Sequence, residues 1–103
     1  MKIDPKEMED KASLLKLLAH PIRLCILRGL IRDGENNVSF MQDCLDVPQS
    51  TLSQHLSKLR LAGIVKNERR GTEIYYSVVS GEVKSIVNLL FDLEEELNWQ
   101  KKL

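Results

Sequence analysis

The sequence contains few of the residues on which several classes of protein depend. It has two cysteines, three prolines and five glycines in 103 residues. Two thiols, Cys25 and Cys44, are too few for a disulfide-stabilised scaffold, and they lack the short spacing of a structural metal site. No apolar run approaches the length of a membrane span, and the polar start MKIDPKEMED does not resemble a signal peptide. We therefore expect a single cytoplasmic domain with no membrane partner, no metal and no cofactor.

Signatures of catalysis are also missing. We find no nucleophile paired with a base, no glycine-rich phosphate loop and no group of carboxylates away from helix surfaces. The adjacent Tyr75 and Tyr76 are more typical of a strand that puts one ring in the core and one outside. The sequence therefore predicts a binding protein and not an enzyme.

The formal net charge is zero, which at first argues against a nucleic-acid partner. The charges are, however, unevenly distributed. Segment 49–72 has a single acidic residue, Glu68, and five basic ones: Lys58, Arg60, Lys66, Arg69 and Arg70. Acidic residues collect near the C-terminus, at Asp92, Glu94, Glu95 and Glu96. Because a local basic surface matters more than the sum of charges, DNA remains a possible partner.

Segment 48–60, PQSTLSQHLSKLR, is the most informative part of the chain. Leu52, Leu56 and Leu59 recur at helical spacing and predict one apolar stripe. The remaining surface carries hydroxyl, amide and basic side chains: Gln49, Ser50, Thr51, Ser53, Gln54, His55 and Lys58. Serine and threonine are weak helix formers, but their hydroxyls, like amides, can read the edges of bases. A helix whose hydroxyls only cap its first turn is the alternative.

The segment after this helix predicts a β-hairpin. Gly63 is placed to end the helix, and the runs IVKNERR (64–70) and EIYYSVV (73–79) flank Gly71. Arg69 and Arg70 then lie at the hairpin tip, with Lys66 on the strand that leads to it. A polar-faced helix followed by an arginine-tipped hairpin is the arrangement of a winged helix-turn-helix, in which the helix enters the major groove and the wing reaches phosphates or the minor groove. Arginines that only keep an exposed tip soluble are the alternative.

The rest of the chain is predicted to be helical. Asp4 with Pro5 begins a first helix, Pro21 a second, and a capping box of Ser39 with Gln42 a third, after a loop at 33–37. The last helix begins near Gly81. The predicted fold is a mainly α winged helix-turn-helix (α+β) in one domain, 1–103, with the order α-α-α-α-β-β-α. The helix-turn-helix spans 39–62 and the wing spans 64–79.

The two terminal helices, within 1–19 and 81–103, carry more apolar surface than one small domain covers. We therefore predict a homodimer with twofold symmetry, which would also present two recognition helices to a pseudo-palindromic site. The predicted contact residues are Leu14, Leu18, Ile86, Leu90, Leu93 and Leu97. A monomer that folds both helices onto its own core is the alternative.

Three segments together resemble the ArsR/SmtB family of bacterial transcriptional repressors: LLAHPIRLCILRGL, VPQSTLSQHLSKLRLAGIV and RRGTEIYYSV. The resemblance covers roughly residues 10–95 and is greatest to the metal-independent branch of the family. It implies a homodimeric repressor of double-stranded DNA, and it assigns base contacts to Gln49, Ser50, Ser53 and Gln54. Many relatives have His-Gln where this chain has Gln54-His55, so either residue of the pair could point at DNA.

The positions that bind metal in relatives are changed here. One set matches Asn37, Val38 and Ser39, and the other matches Ser80, Glu82, Leu93 and Glu96. Neither set offers the thiolate or imidazole that zinc prefers, so we predict no metal sensing.

Some relatives sense persulfides or oxidants through cysteines on the second and last helices. The last helix of this chain has no cysteine, and we interpret Cys25 and Cys44 as core residues. A redox-responsive repressor that uses Cys25 and Cys44 is the alternative.

Overall fold

The computed structural model describes residues 2–101, with the side chains of the last helix described as far as Asp92. Five helices and three strands follow in the order α1 (Pro5–Leu18), α2 (Pro21–Asp33), β1 (Asn36–Asn37), α3 (Val38–Leu45), α4 (Gln49–Leu61), β2 (Val65–Arg70), β3 (Glu73–Val78) and α5 (Gly81–Lys101). The predicted winged helix-turn-helix is confirmed, with α3 and α4 as the helix-turn-helix and the β2–β3 hairpin as the wing.

Local capping chemistry sets where the first three helices begin. The carboxylate of Asp4 accepts from the backbone N–H of Lys6 at 3.0 Å, and Nδ1 of His20 accepts from that of Ile22 at 3.1 Å. The predicted cap at Ser39 is wrong. The cap of α3 is Asn37, whose Oδ1 accepts from the N–H of Phe40 at 2.8 Å. Asparagine is as good an N-cap as serine, so the helix begins earlier than the Ser39–Gln42 pattern indicated.

The predicted loop at 33–37 contains a short strand. Asn36 pairs with Tyr76 and Asn37 with Tyr75, so β1 joins the hairpin in an antiparallel sheet of order β1-β3-β2. Asparagine is rare in strands, and local propensity therefore gave no signal for β1. The sheet ties the start of the helix-turn-helix to the base of the wing.

The end of α4 leads directly into the wing. Gly63 has a φ of +76°, its N–H donates to the carbonyl of Arg60, and the N–H of Ile64 donates to that of Leu59. These two bonds form a Schellman motif, which confirms Gly63 as the residue that ends the helix. At the wing tip, Gly71 has a φ of +64° and closes the hairpin between Arg70 and Glu73.

The core lies between α2, α4, α5 and the sheet. Leu52, Leu56 and Leu59 of α4 are at most 1% exposed, as their spacing predicted. They pack with buried residues of the other elements: Leu18, Ile26, Leu27, Leu30, Met41, Ile64, Val65, Val78, Val83 and Val87. The opposite side of α4 therefore faces outward. In the part of the chain that the structure describes, no helix is long and apolar enough to cross a membrane.

Candidate nucleic-acid interface

The outer face of α4 is a continuous polar surface. Gln49, Ser50, Ser53, Gln54 and Lys58 are all exposed, whereas Thr51 is half-buried. The N-cap of α4 is Pro48, which makes no side-chain capping bond, so the hydroxyls that follow it are not the cap of this helix. That result disfavours the capping alternative and leaves the hydroxyls available to a ligand.

Two further exposed residues of α4 were missed by sequence reasoning. Ser57 lies one turn after Ser53 on the same face, and Arg60 is exposed near the end of the helix. The i, i+4 spacing of Ser53 and Ser57 was the signal that could have found the first of them. Both extend the polar surface toward the wing.

His55 is turned toward the protein. Its Nδ1 accepts from Nε of Arg23 at 3.0 Å, and its ring centroid lies 4.4 Å from that of His20. Burial and then the neighbouring positive charges lower the pKa of His55, so its ring is neutral near pH 7. Of the pair Gln54-His55, the exposed member is Gln54, and the geometry argues against the predicted DNA contact of His55.

The two arginines of the wing tip differ in their partners. Arg69 is exposed, and its Nε donates to the carbonyl of Gly71 at 3.3 Å. Arg70 donates from both terminal nitrogens to Glu35, at 2.6 and 2.9 Å, and to Glu68 at 3.1 Å. Its guanidinium also lies 4.6 Å from the ring centre of Tyr75.

These contacts argue against the predicted DNA contact of Arg70. The hydrogen bonds that Arg70 donates to Glu35 and, less strongly, to Glu68 raise the pKa of Arg70, and the bond that Glu35 accepts from Arg70 lowers the pKa of Glu35. A guanidinium already held by two carboxylates is a poor phosphate ligand, because the carboxylates repel phosphate and neutralise its charge. Glu35 precedes Arg70 by 35 residues, and no local pattern linked the two.

Three other basic side chains remain for phosphates: Lys58 of α4, Lys66 of β2 and Arg69 at the tip. All three are exposed, and none makes an ion pair with a residue that the structure describes. The helix and the wing thus present separate positive charges beside the polar face.

The apolar residues predicted for a dimer contact divide into three groups. Leu18 is 4% exposed inside the protomer's own core, so its assignment to a partner contact is corrected. Leu14 and Ile86 are half-buried and pack against the same core, whereas Leu90 is 51% exposed. Leu93 and Leu97 lie outside the residues whose side chains are described.

Three exposed apolar residues on the terminal helices were missed: Met8 and Leu15 on α1 and Leu89 on α5. Leu89 is 70% exposed and Leu15 56%, so both terminal helices leave large apolar side chains open to solvent. The seven-residue separation of Met8 and Leu15 was the available signal. Near the start of α5, Lys11 forms an ion pair with Glu82 at 2.6 Å and links the two terminal helices.

The interpretation of both cysteines as core residues is wrong. Cys25 and Cys44 are exposed, and both line one cavity of about 330 Å³ between α2 and α3. The buried side of α2 is formed by Arg23, Ile26, Leu27 and Leu30, which leaves position 25 outside it. The same cavity is lined by Arg28 and Arg32.

The positions that bind metal in relatives have other roles here. Asn37 caps α3, the hydroxyl of Ser80 accepts from the N–H of Val83 at 3.2 Å, and Glu82 is paired with Lys11. Among the described residues, no three His, Cys, Asp or Glu side chains lie close enough together to hold a metal ion.

Comparison with known proteins places this surface in context. The family described as a helix-turn-helix domain matches residues 18–68. The transcriptional repressor PagR of Bacillus anthracis is 45% identical over 89 residues, which cover 86% of this chain and 89% of PagR. The crystal structure of PagR is 44% identical and matches with a TM-score of 0.74 over 84% of this chain and 99% of that chain.

Two further relatives extend the comparison. The repressor SmtB of Mycobacterium tuberculosis is 40% identical over 84 residues, which cover 81% of this chain and 62% of SmtB. The structure of HlyU from Vibrio cholerae is 37% identical and matches with a TM-score of 0.81 over 87% of this chain and 97% of that chain. The Vibrio cholerae protein is described as a transcriptional activator. These relatives are all regulators of transcription and not enzymes.

Proposed function

The chain belongs to the ArsR/SmtB family of winged helix-turn-helix regulators, and we propose that it is a cytoplasmic repressor that occupies a pseudo-palindromic operator as a homodimer, without a metal effector. The observation that carries the proposal is the outward polar face of α4. Its leucine stripe is fully buried, and its hydroxyl and amide side chains are exposed on the opposite side. A face of this chemistry matches the donors and acceptors of the major groove.

In the proposed complex, α4 lies in the major groove. Gln49, Ser50, Ser53 and Gln54 contact base edges, and Thr51, which is half-buried, supports the first turn. Lys58, Lys66 and Arg69 contact phosphates, which fixes the position of the helix without reading sequence. Arg70 and His55 instead make contacts within the protomer, because each already has a hydrogen-bonded partner there.

The proposed dimer is formed by the exposed apolar residues of α1 and α5. Met8, Leu15, Leu89 and Leu90 are each about half exposed or more. Burying such side chains contributes roughly 1.5–3 kcal/mol each when burial is complete. A twofold contact buries each of these side chains on both protomers. It also presents two α4 helices to DNA, which suits half-sites about one helical turn apart.

Independence from metal is supported by the side chains at the family's metal positions. Asn37, Ser80 and Glu82 are engaged in caps and in an ion pair, and no cysteine or histidine stands among the matched positions. Zinc would have to displace these contacts and would gain only oxygen ligands. We expect zinc, cadmium and arsenite to leave operator affinity unchanged.

The test is selection of DNA from a random pool, followed by titration of the selected operator and of a scrambled duplex of equal length. The proposal requires a palindromic consensus and a preference for the operator of about a thousandfold or more, the range typical of specific binders. A protein that binds both duplexes equally would refute it. Sedimentation analysis of the free protein tests the dimer separately.

One observation favours a second candidate for regulation, a repressor that responds to thiol oxidants. Cys25 and Cys44 both open onto the 330 Å³ cavity, and a thiolate there would lie near Arg28 and Arg32. The hydrogen bond that Arg32 donates to Asp33 is the main cause that raises the pKa of Arg32, and the charge of a Cys44 thiolate adds a smaller contribution. The thiolate is the form of cysteine that reacts with disulfides.

The chemistry of this candidate is thiol–disulfide exchange with a small disulfide. The cysteine thiolate attacks one sulfur of the disulfide, a new S–S bond forms at Sγ, and the other half leaves as a thiolate. The small disulfide is the oxidant, and the adduct occupies the cavity between α2 and α3. Because α3 packs against α4, such an adduct would disturb the recognition unit.

The operator is therefore titrated with reduced protein, with protein treated with a small disulfide, and with a Cys25→Ser, Cys44→Ser double variant treated in the same way. The thiol switch would be established if the treated wild type loses operator binding and the treated double variant keeps it. Mass spectrometry verifies that the treated wild type carries the adduct. If all three proteins then bind the operator equally, the protein is a repressor whose occupancy depends only on its concentration.

A further inference from the structure

Arg23 is the only charged side chain that is buried among the described residues, with 9% of its surface exposed. Its Nη1 donates to the carbonyl of Leu17 at 2.9 Å, and its Nε donates to Nδ1 of His55 at 3.0 Å. A guanidinium on α2 thus bonds both to the last turn of α1 and to the recognition helix α4. Burial of a guanidinium is unfavourable unless its donors are satisfied. Breaking either of these two hydrogen bonds would therefore be costly, which favours this one arrangement of the side chain.

The hydrogen bond defines the protonation state of His55. Because Nδ1 accepts from Arg23, the neutral ring must carry its proton on Nε2. His20, whose ring lies 4.4 Å away, is held by its own bond from the N–H of Ile22. Two imidazoles and one guanidinium therefore pack in one arrangement, and each nitrogen that faces inward has a partner.

The charged groups around His55 are all basic. His20 and Arg23 approach from the side of α2, Lys58 follows one turn later on α4, and Lys16 of α1 lines a cavity with Arg23 and Lys58. Among the residues that the structure describes, no carboxylate contributes to the pKa shift of this imidazole. A proton added to His55 would therefore remove an acceptor and place another cation beside existing ones.

The apolar packing of α4 supplies no directional bond that would fix its rotation. Contacts of leucine side chains with the core are not directional, and a rotation of about 10° moves the outer surface of a helix of about 5–6 Å radius by roughly 1 Å. Such a displacement is enough to misplace a hydrogen bond to a base. His55 stands beside the buried stripe, three residues after Leu52, so its directional bond opposes this rotation.

We infer that Arg23 and His55 are positioning residues for DNA recognition: their hydrogen bond sets the rotation of α4 and thereby the presentation of Ser53 and Gln54. The inference rests on the proposed function, since it concerns how the same helix reads DNA. It assigns to His55 a role inside the protein in place of a contact with a base.

Three variants test the pair. His55→Leu removes the acceptor and keeps an apolar side chain, whereas His55→Asn keeps an oxygen where Nδ1 stands. His20→Asn is the matched control, because asparagine is a good N-cap and the Arg23–His55 bond is untouched. Ile26→Val, a conservative change at a buried position of α2, controls for a general loss of stability.

The first readout is the ratio of operator affinity to scrambled-DNA affinity. His55→Leu is expected to lower this ratio about tenfold, the equivalent of one hydrogen bond, whereas His55→Asn and Ile26→Val keep it within about twofold of the wild type. Thermal unfolding verifies that each variant is folded at the temperature used. An undiminished ratio in a folded His55→Leu variant would overturn the inference.

The second readout is the pH profile of the ratio between about pH 7.5 and 5.5, where a histidine titrates. Wild-type protein and His20→Asn should lose operator preference as the pH falls, while binding to scrambled DNA holds or increases with the added positive charge. His55→Asn, which has no imidazole at this position, should show a flatter profile. The same profile in wild type and His55→Asn would contradict the assignment.

The third readout needs no DNA and separates this inference from the proposed function. Residual dipolar couplings report the orientation of α4 relative to α2, and ¹⁵N shifts of the imidazole report the tautomer. A protonated Nε2 in the wild type and a rotated α4 in His55→Leu support the inference, whereas an unrotated α4 refutes it. A wild type that fails to prefer any operator would refute the proposed function and leave these two measurements to decide the positioning role.

Discussion

The adjacent arginines of the wing provide the sharpest test of the interface, because the same substitution should weaken phosphate binding at one and leave it unchanged at the other. Arg69→Ala removes an exposed cation at the wing tip. Arg70→Ala removes a cation that already donates hydrogen bonds to Glu35 and Glu68. Both variants have the same net charge. Any difference between them therefore reports where each guanidinium is directed.

The magnitude follows from the number of phosphate contacts. Three cations per protomer, Lys58, Lys66 and Arg69, give six in a dimer and a slope of log K against log salt of about −5 for duplex DNA. In Arg69→Ala two of the six are lost, which reduces the slope by about 1.8 and changes the relative affinity roughly tenfold between 50 and 200 mM salt. Arg70→Ala should leave the slope unchanged.

Fluorescence anisotropy with labelled operator at four or five salt concentrations measures both slopes. Amide hydrogen exchange of the wing provides a complementary result, since Arg70→Ala should increase exchange in β2 and β3 and Arg69→Ala should not. Equal reductions of the slope by the two variants would show that Arg70 leaves its carboxylates to bind phosphate. An unchanged slope for Arg69→Ala would remove the wing tip from the interface.

Three other outcomes are expected. Ser53→Ala and Gln54→Ala should each weaken operator binding by roughly 1–3 kcal/mol and scrambled-DNA binding little, as titration of both duplexes will measure. Leu90→Glu should yield monomers in sedimentation analysis, because a charge in an apolar contact lacks a partner, and a well-folded dimer would exclude that contact. The pKa of His55 is lowered in the folded chain, so its contribution to stability is present above the unfolded value of about 6.5 and is lost as the pH falls through the folded value. Urea titrations between about pH 7 and 5 should show this loss in the wild type and less of it in His55→Asn.

Patterns within one element were sufficient to predict most of the fold. The leucine spacing of α4 gave its buried face, and Gly63 gave its end, because both depend on residues only a few positions apart. The strand at Asn36–Asn37 could not be predicted in this way. It exists because β3 offers backbone partners 38 and 40 residues away, and that pairing overrides the low strand propensity of asparagine.

The sequence was sufficient to predict which residues lie near the candidate site, but not which way each side chain points. Sequence reasoning placed Gln54 and His55 together on the outer face, since both are polar and neither belongs to the leucine stripe. Successive helical residues lie 100° apart, which puts Gln54 opposite the stripe and His55 beside it. The partner that turns His55 inward is Arg23, 32 residues earlier, and periodicity within α4 contains no information about it. The same limit applies to Cys25, whose small apolar character suggested a core position that the helix geometry does not provide.

Arg70 and His55 both bond to other residues of the protomer, and this distinguishes them from the side chains proposed to bind DNA. A side chain that binds DNA must be free to exchange water for phosphate or base, whereas one that orients an element must keep its partner when DNA arrives. Arg70 connects the wing to Glu35, just before β1, and Arg23 connects α4 to α1 and α2, so each orienting bond joins a reading element to the body of the domain. The side chains proposed for DNA, among them Ser53, Gln54 and Arg69, have no such bond to a distant element within the described residues. A distant hydrogen-bonded partner is therefore the physical criterion that separates residues that orient the reading surface from residues that form it.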